Sequence, residues 1–472
     1  MPRWPLVLLP LLALPLLLAQ PRRSAAGAGE PPPERVAVTI YNGDLGLVRH
    51  ERSIALERGV HRLPFPGVSA RIDPTSVAFR ALESPADVDV LEQNYEYDLL
   101  TPEALLEKYV GREVTLVTTR DDRDTAVRAR LLSTKGGAVY QIGDSIALNP
   151  PGRVVLPALE GDLVPEPTLV WTLGSRKDGP EPVEVSYLTG GLDWRADYVA
   201  TVSPDGKALD LGGWVTLTNG TGVTYRDARL KLVAGTLNRA GEERGKRAME
   251  MLAAADAAPS AAHFEERTFY EYHLYDLPRP TTIKNNQTKQ IRLLETASVR
   301  TQKVFRLAGA PWYYTQQYGG EQGLKVGVYQ EFENRERDGL GIPLPAGTVR
   351  LYKADADGTL QLVGEDRIDH TPDGEKVVLK IGEAFDVVAD RRQTEFEVVA
   401  SGHVWEEAFE VVIRNHKKED IVVQVVEPLP GEWRMLSNTH DFEKLDAFTV
   451  RFDVPVKAGG EATLQYRIRI SY

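Results

Sequence analysis

The chain predicts a mainly β fold, built as several antiparallel β-sandwiches in several domains. Three observations carry that reading. The stretch Gly339 to Ile381 reads as three short strands joined by two tight turns. Val349 and Leu351 alternate with Arg350 and Tyr352, Leu360 and Leu362 with Gln361, and Val377, Leu379 and Ile381 with Val378 and Lys380. A period of two marks strands with one buried face. Asp357-Gly358 and Asp373-Gly374 lie between the runs and supply the positive φ that a tight hairpin needs. The same texture recurs along most of the chain, and Thr101 to Gly111 is the one clear helical pattern. Finally, 472 residues with 42% hydrophobic and 26% charged content describe a globular protein too long for one ordinary core. Roughly two to four domains are expected.

The N-terminus reads as an export signal spanning residues 1–28. Arg3 gives a positive n-region, Pro5 to Ala19 is almost wholly apolar, and Ala26-Gly27-Ala28 offers a cleavage pattern. The apolar run is too short and proline-broken for a comfortable membrane span, so membrane contact is expected only if this segment stays uncleaved. The chain contains no cysteine. That excludes disulfides, thiolate metal sites, cysteine nucleophiles and an acylated lipoprotein cysteine. An exported chain of this length without disulfides suits a bacterial periplasm or cell envelope. The formal charge of −12 argues against a nucleic-acid partner and against adhesion to anionic membranes.

Residues 29–34 form a proline-rich linker. A first β-sandwich is expected over 35–98 and 165–240. It begins with VAVTIY, the Asn42-Gly43 turn and LGLVRHERSIAL, and resumes with TLVWTL, VEVSYLTGGLDWRADYVATV, LGGWVTLTN and ARLKLVAGTLN. Residues 99–164 read as an insert. Thr101 is placed as N-cap, Pro102 at the first helical position, and Gly111 at the stop. A helix followed by five short strands resembles a small closed barrel of the SH3 or Sm type. Between Thr101 and Pro157 there are eight basic and seven acidic residues, with Tyr109 and Tyr140 the only aromatics. That is no stacking platform for RNA, and a structural insert is expected. Residues 241–266 are Ala-rich and charged and read as a flexible loop. Residues 267–390 hold the β-meander region. Residues 391–472 read as a C-terminal immunoglobulin-like sandwich without its disulfide, with a cleanly alternating last strand from Leu464 to Ile470.

Four ordered stretches carry a family resemblance: Tyr187–Tyr198 (YLTGGLDWRADY), Asn219–Asn238 (NGTGVTYRDARLKLVAGTLN), Asn285–Leu294 (NNQTKQIRLL) and Gly339–Gly358 (GLGIPLPAGTVRLYKADADG). Together they resemble exported bacterial proteins carrying the C-terminal domain of unknown function shared with mucoidy-inhibitor A proteins. The resemblance implies a β-rich, envelope-associated protein with no assigned catalytic residues. The mucoidy-inhibitor relatives carry a coiled-coil N-terminal part, and this chain has no heptad run.

Among candidate sites the aromatic tract stands first: Trp312, Tyr313, Tyr314 and Tyr318, followed by Gly319, Gly320 and Gly323. Aromatic faces on a mobile loop stack on sugar rings or anchor a protein partner; the competing reading is core packing of a strand. Gly190-Gly191 ahead of Trp194 suggests a tight corner, and Asn219-Gly220-Thr221-Gly222 a turn, since it lacks the lysine and helix of a phosphate loop. Asp355-Ala356-Asp357-Gly358 echoes a calcium loop without its distal Glu, and Asp121, Asp122 and Asp124 are offset by Arg120 and Arg123. His263, Glu265, Glu271 and His273 share parity, but no HExxH occurs, so no metal and no cofactor are expected. No G-x-S-x-G marks a serine nucleophile. The reading taken is a binding or scaffold protein of the envelope, with a protein or glycan partner. The alternative is a hydrolase acting on carbohydrate or peptide in a cleft between the β domains.

Overall fold

The computed structural model describes residues 34–97, 101–120, 123–157, 164–235, 237, 264–400 and 404–471. The expected signal peptide, nearly all of the linker, most of the Ala-rich loop, and Asp121, Asp122 and His263 lie outside them. Among the described residues no helix is long and apolar enough to cross a membrane. The described residues are mainly β, with strand at 66% and helix at 5%.

Arg35–Tyr41 turns back at Gly43 (φ 87°) and Asp44 (φ 58°) and pairs antiparallel with Leu45–Leu56, which pairs in turn with Gly179–Thr189. Its other edge takes Tyr225–Ala234 in parallel. Two further parallel pairings join Leu192–Val202 to Gly347–Ala354 and Gln287–Ala308 to Ile421–Pro428. Parallel neighbours need long crossover connections, and alternation along one strand carries no trace of its partner's direction. The sheets are therefore mixed as well as antiparallel. Facing them, Gly59–Pro66, Thr168–Ser175 and Val88–Glu96 make a three-stranded sheet, in which Phe65 and Trp171 pack edge to face at 5.6 Å.

The insert departs after Glu96 and the chain resumes at Thr168, and those two residues are register partners. Its strands, from Glu113–Arg120 to Arg153–Val155, form a separate five-stranded sheet over a small core that includes Tyr109, Leu116, Leu131 and Tyr140. The Thr101 hydroxyl accepts from Ala104 N–H at 3.1 Å, so the helix Pro102–Lys108 is capped as the sequence requires.

In the meander region Gly347–Ala354 pairs antiparallel with Leu360–Ile368 across Gly358 (φ 88°). The third expected strand does not extend that meander. Lys376–Ala400 pairs instead with Gln322–Glu333 and Val404–Asn415. Leu360 and Leu362 are exposed (52% and 57%), contrary to their alternation, because Leu360–Ile368 is a sheet edge that reaches the core only at Ile368. The Pro343-Leu344-Pro345 segment is clamped by two buried phenols. Tyr275 OH donates to Pro343 O and Tyr198 OH to Pro345 O, both at 2.8 Å.

One hydrophobic cluster runs from Val38 through Trp171, Tyr198 and Leu217 to Ile291, Val349 and Leu379. The first sandwich and most of the meander region thus share a core. A second cluster packs Phe305, Tyr314, Val326 and Ala389 with Phe409, Val423, Phe452 and Ile468. The expected boundary at 390/391 falls inside the 25-residue strand Lys376–Ala400, and the 22-residue strand Gln287–Ala308 likewise serves both cores.

Asn334 fastens the turns that pack against the larger core. It is 0% exposed, and its amide donates to Ile342 O at 2.8 Å and Pro372 O at 2.9 Å while its Oδ1 accepts from Gly341 N–H at 3.0 Å. Asn334→Ala leaves buried backbone groups unsatisfied and is expected to cost about 2–3 kcal/mol, read as a lower urea midpoint with an unchanged slope.

Candidate functional site

Three of the four family-like stretches meet at one end of the sheet formed by Leu192–Val202, Ala208–Asn219 and Gln287–Ala308, where they border an open groove of about 300 Å³. Gly191, Thr218, Asn219, Gly220, Asn286, Gln287 and Thr288 line it together with Asp44 and Arg71. Gly191 needs its glycine for packing, since φ is 85° and a Cβ would meet the Gly220 backbone at 2.9 Å. Gly220 N–H donates to Gly191 O at 2.7 Å. Trp194 is buried and donates to Val233 O at 3.2 Å. Asn219 holds the floor: its amide donates to Val223 O and Ile283 O, and its Oδ1 accepts from Thr221 N–H. The Asn219 turn and the Gly190-Gly191 corner are thus structural elements in their own right.

The remaining groups line the groove with polar atoms. Asp44 accepts from Gly191 N–H at 2.7 Å and from Arg71 Nη2 at 2.9 Å. Thr218 and Thr288 are directly opposed across the strand pair. Asn286 sits at φ 54°, a conformation that asparagine tolerates and that places it at the turn before Gln287. Asp44, Arg71, Asn286 and Thr288 were not legible as site residues, because the turns meet only through contacts between segments distant in sequence, Asn219 with Gln287 and Asp44 with Gly191.

Behind the groove wall runs a buried polar chain. His50 is 2% exposed and lies 3.0 Å from Glu34 Oε1 through Nδ1 and 3.1 Å from Tyr187 OH through Nε2. Tyr187 OH accepts from Ser69 N–H at 3.3 Å, and Ser69 Oγ lies 2.6 Å from Thr189 Oγ1. The hydrogen bond from His50 and the neighbouring Arg52 hold the Glu34 carboxyl down to about 2, against burial, and burial lowers the His50 pKa. Ser69 is 0% exposed, so this chain braces the wall.

The aromatic tract is not a loop presenting four rings. Residues Pro311–Tyr314 form a 3-10 turn in which Tyr313 and Tyr314 are buried, at 4% and 0% exposure. Tyr318 is half-buried, and Trp312 alone is exposed, at 42%. The rings turn inward because a polar cluster in the C-terminal core receives them. Tyr314 OH donates to Glu427 Oε2 at 2.6 Å and lies 2.9 Å from Tyr466 OH. Arg391 is ion-paired with Glu427, both fully buried, and its guanidinium lies 4.4 Å from the Tyr313 ring centroid. Gln393 ties the tract to a second buried acid: its Oε1 accepts from Tyr318 N–H at 2.9 Å, and its Nε2 donates to Glu407 Oε2 at 3.2 Å.

The other sequence candidates resolve into structure. Asp355 Oδ1 accepts from Asp357 N–H and Asp357 Oδ1 from Thr359 N–H, the hydrogen bonds of a closed turn. His273 pairs with Glu266 at 2.7 Å. Among the described residues no group of three or more His, Asp or Glu side chains is placed to hold a metal ion. No protein-family model matches the chain, and no curated protein matches it.

Three outcomes are expected in and around the buried cluster. Tyr314→Ala removes a core ring and a partner of Glu427 and should cost about 3–5 kcal/mol, whereas Trp312→Ala should stay within about 1 kcal/mol of the parent in thermal unfolding. Burial pushes the Glu407 carboxyl from 4.5 up to about 7. The folded state therefore binds more protons than the unfolded state between those values, and stability falls as pH rises through that window. Glu407→Gln should be worth up to about 3 kcal/mol above pH 7 and fade toward pH 4.5, seen as a Tm difference that shrinks on acidification.

Proposed function

We propose that this chain is an exported, envelope-associated binding or scaffold protein, in keeping with its resemblance to exported proteins of the shared C-terminal domain. The observation that carries the reading is the groove. Its volume, about 300 Å³, is of the size that small-ligand sites occupy, roughly 300–1,000 Å³. Thr218 and Thr288 supply hydroxyls, Asn286 and Gln287 carboxamides, and Asp44 and Arg71 an acceptor and a donor. Such a set pairs with alternating hydroxyl donors and acceptors, so the partner is a glycan rather than an apolar peptide. The rigid sheet end behind it keeps the donors in place, which limits the ordering cost of binding.

The hydrolase alternative draws less support from this groove. Glycoside cleavage by a carboxyl pair needs two such groups about 5–10 Å apart, and Asp44 is the one carboxylate among the lining residues.

The test is binding of isolated envelope polysaccharide to the full chain by calorimetry. Thr218→Val combined with Asn286→Gly, which keeps the left-handed turn, should weaken binding at least about tenfold with Tm unchanged. Equal binding by parent and variant, or capture of a delipidated envelope protein with no polysaccharide bound, would remove the groove from the function.

A further inference from the structure

The sheet face that borders the groove continues beyond Thr218 and Thr288. Those two residues oppose each other across Ala208–Asn219 and Gln287–Ala308, and the next pairs along the same ladder are Thr216 with Gln290 and Trp214 with Arg292. Side chains two residues apart share a face of a sheet. All three pairs therefore lie on the side turned away from the core that Val215, Leu217 and Ile291 fill. Gln290 is exposed, and Trp214 and Arg292 are half-buried. The Arg292 guanidinium carbon lies 4.8 Å from the centre of the Trp214 ring. Gly212 comes next on that face, paired with Val199, which is 39% exposed.

Glycine inside a strand weakens it, and it marks a bulge, a bend or a place where another molecule approaches the backbone. Gly213 has a packing reason, since a Cβ there would meet the Leu294 side chain at 2.9 Å. Gly212 has none. Its φ is not in the left-handed region, and a Cβ would meet nothing nearer than Val199 O at 4.0 Å. The strand keeps a bare backbone where a side chain would fit. Bordered by the Trp214 indole and the exposed Val199, that patch is a shallow apolar shelf with the Gln290 carboxamide further along the same face. A pyranose ring matches such a surface, because its C–H groups pack on apolar and aromatic atoms while its hydroxyls hydrogen-bond at the rim. The charges on this face are already matched: Asp197 accepts from the Thr216 hydroxyl at 2.6 Å and pairs with Arg195 at 3.3 Å, and Arg292 pairs with Glu295. From Thr218 to Gly212 the strand advances about 20 Å, which is longer than a single sugar ring.

We propose that the shelf of Gly212, Trp214 and Val199 is a second sugar subsite continuous with the groove, so that the ligand is an extended oligosaccharide lying along the sheet. This rests on the groove being a glycan site. One end of the ligand pairs with Thr218, Thr288 and Asn286. Its continuation passes Gln290 and sets a ring over the bare backbone of Gly212, against the indole. The groove gives the polar contacts, and the shelf selects for length.

The experiment is calorimetric titration of the full chain with isolated envelope polysaccharide, partially hydrolysed and sorted by length. Affinity is expected to rise at least about tenfold from the shortest fragments to those that reach Gly212, and then to level off. Gly212→Val puts a β-branched residue into open space on a strand, which should leave Tm unchanged. It is expected to abolish the rise while the shortest fragments bind as they do to the parent. Trp214→Ala should abolish the same rise, and Gly212→Val guards against misfolding in that variant. Equal binding of fragments of every length, or uptake of long fragments by Gly212→Val as by the parent, would overturn the shelf and leave the groove a glycan site. Loss of short-fragment binding in Gly212→Val would show that the change reaches the groove and would overturn the assignment to the shelf. Binding of no fragment would overturn the groove reading and this inference together.

Discussion

The structure depends on one backbone constraint, the continuity of Gln287–Ala308 through two hydrophobic cores. Its first half is laddered to Ala208–Asn219 and sends Ile291 and Leu293 into the larger core. Its second half is laddered to Gln322–Glu333 and Ile421–Pro428 and sends Phe305 and Leu307 into the smaller one. A strand has two faces and two edges, and both edges are used along its length, so neither core can shift without breaking a ladder that the other core needs. The groove sits at the start of this strand and the aromatic turn just beyond its end. Both places inherit their rigidity from the same run of hydrogen bonds.

The two cores differ in how they treat polar groups. The larger one admits tyrosine hydroxyls that close onto backbone carbonyls, as at Pro343 and Pro345. The smaller one encloses a full charge pair, Arg391 with Glu427, and sheathes it with Tyr313, Tyr314, Phe409 and Tyr466. A buried pair of this kind is weak as a source of stability but strict about geometry. It selects one seat for the turn after Gln287–Ala308, which four aromatic residues alone would not do.

Much of the fold was legible because alternation is a local property. Val349, Leu351, Val377, Leu379 and the last strand all bury the face their period predicts, and the capped helix at Thr101 stands where its signals put it. What was not legible is pairing between distant strands. Leu360 and Leu362 alternate like core residues yet lie on an edge, and Lys376–Ala400 leaves its neighbour in sequence for strands on either side of the second core. The aromatic tract was ambiguous in a similar way, and two of its rings, Tyr313 and Tyr314, prove to be buried. Aromatic density drew attention to residues 312–318, but density does not say whether a charged partner waits inside. The groove residues are ordinary turn and strand residues whose significance is that they meet.

The insert offers a different kind of consequence. Because the chain departs after Glu96 and comes back at Thr168, the host sheet closes across the junction as though the intervening 71 residues were a long hairpin tip. Its helix, sheet and core are its own. To the host, that position is a socket: evolution can exchange, lengthen or delete what is plugged into it without renegotiating a single strand of the sandwich. A chain shortened or lengthened at this point should therefore still build the same groove.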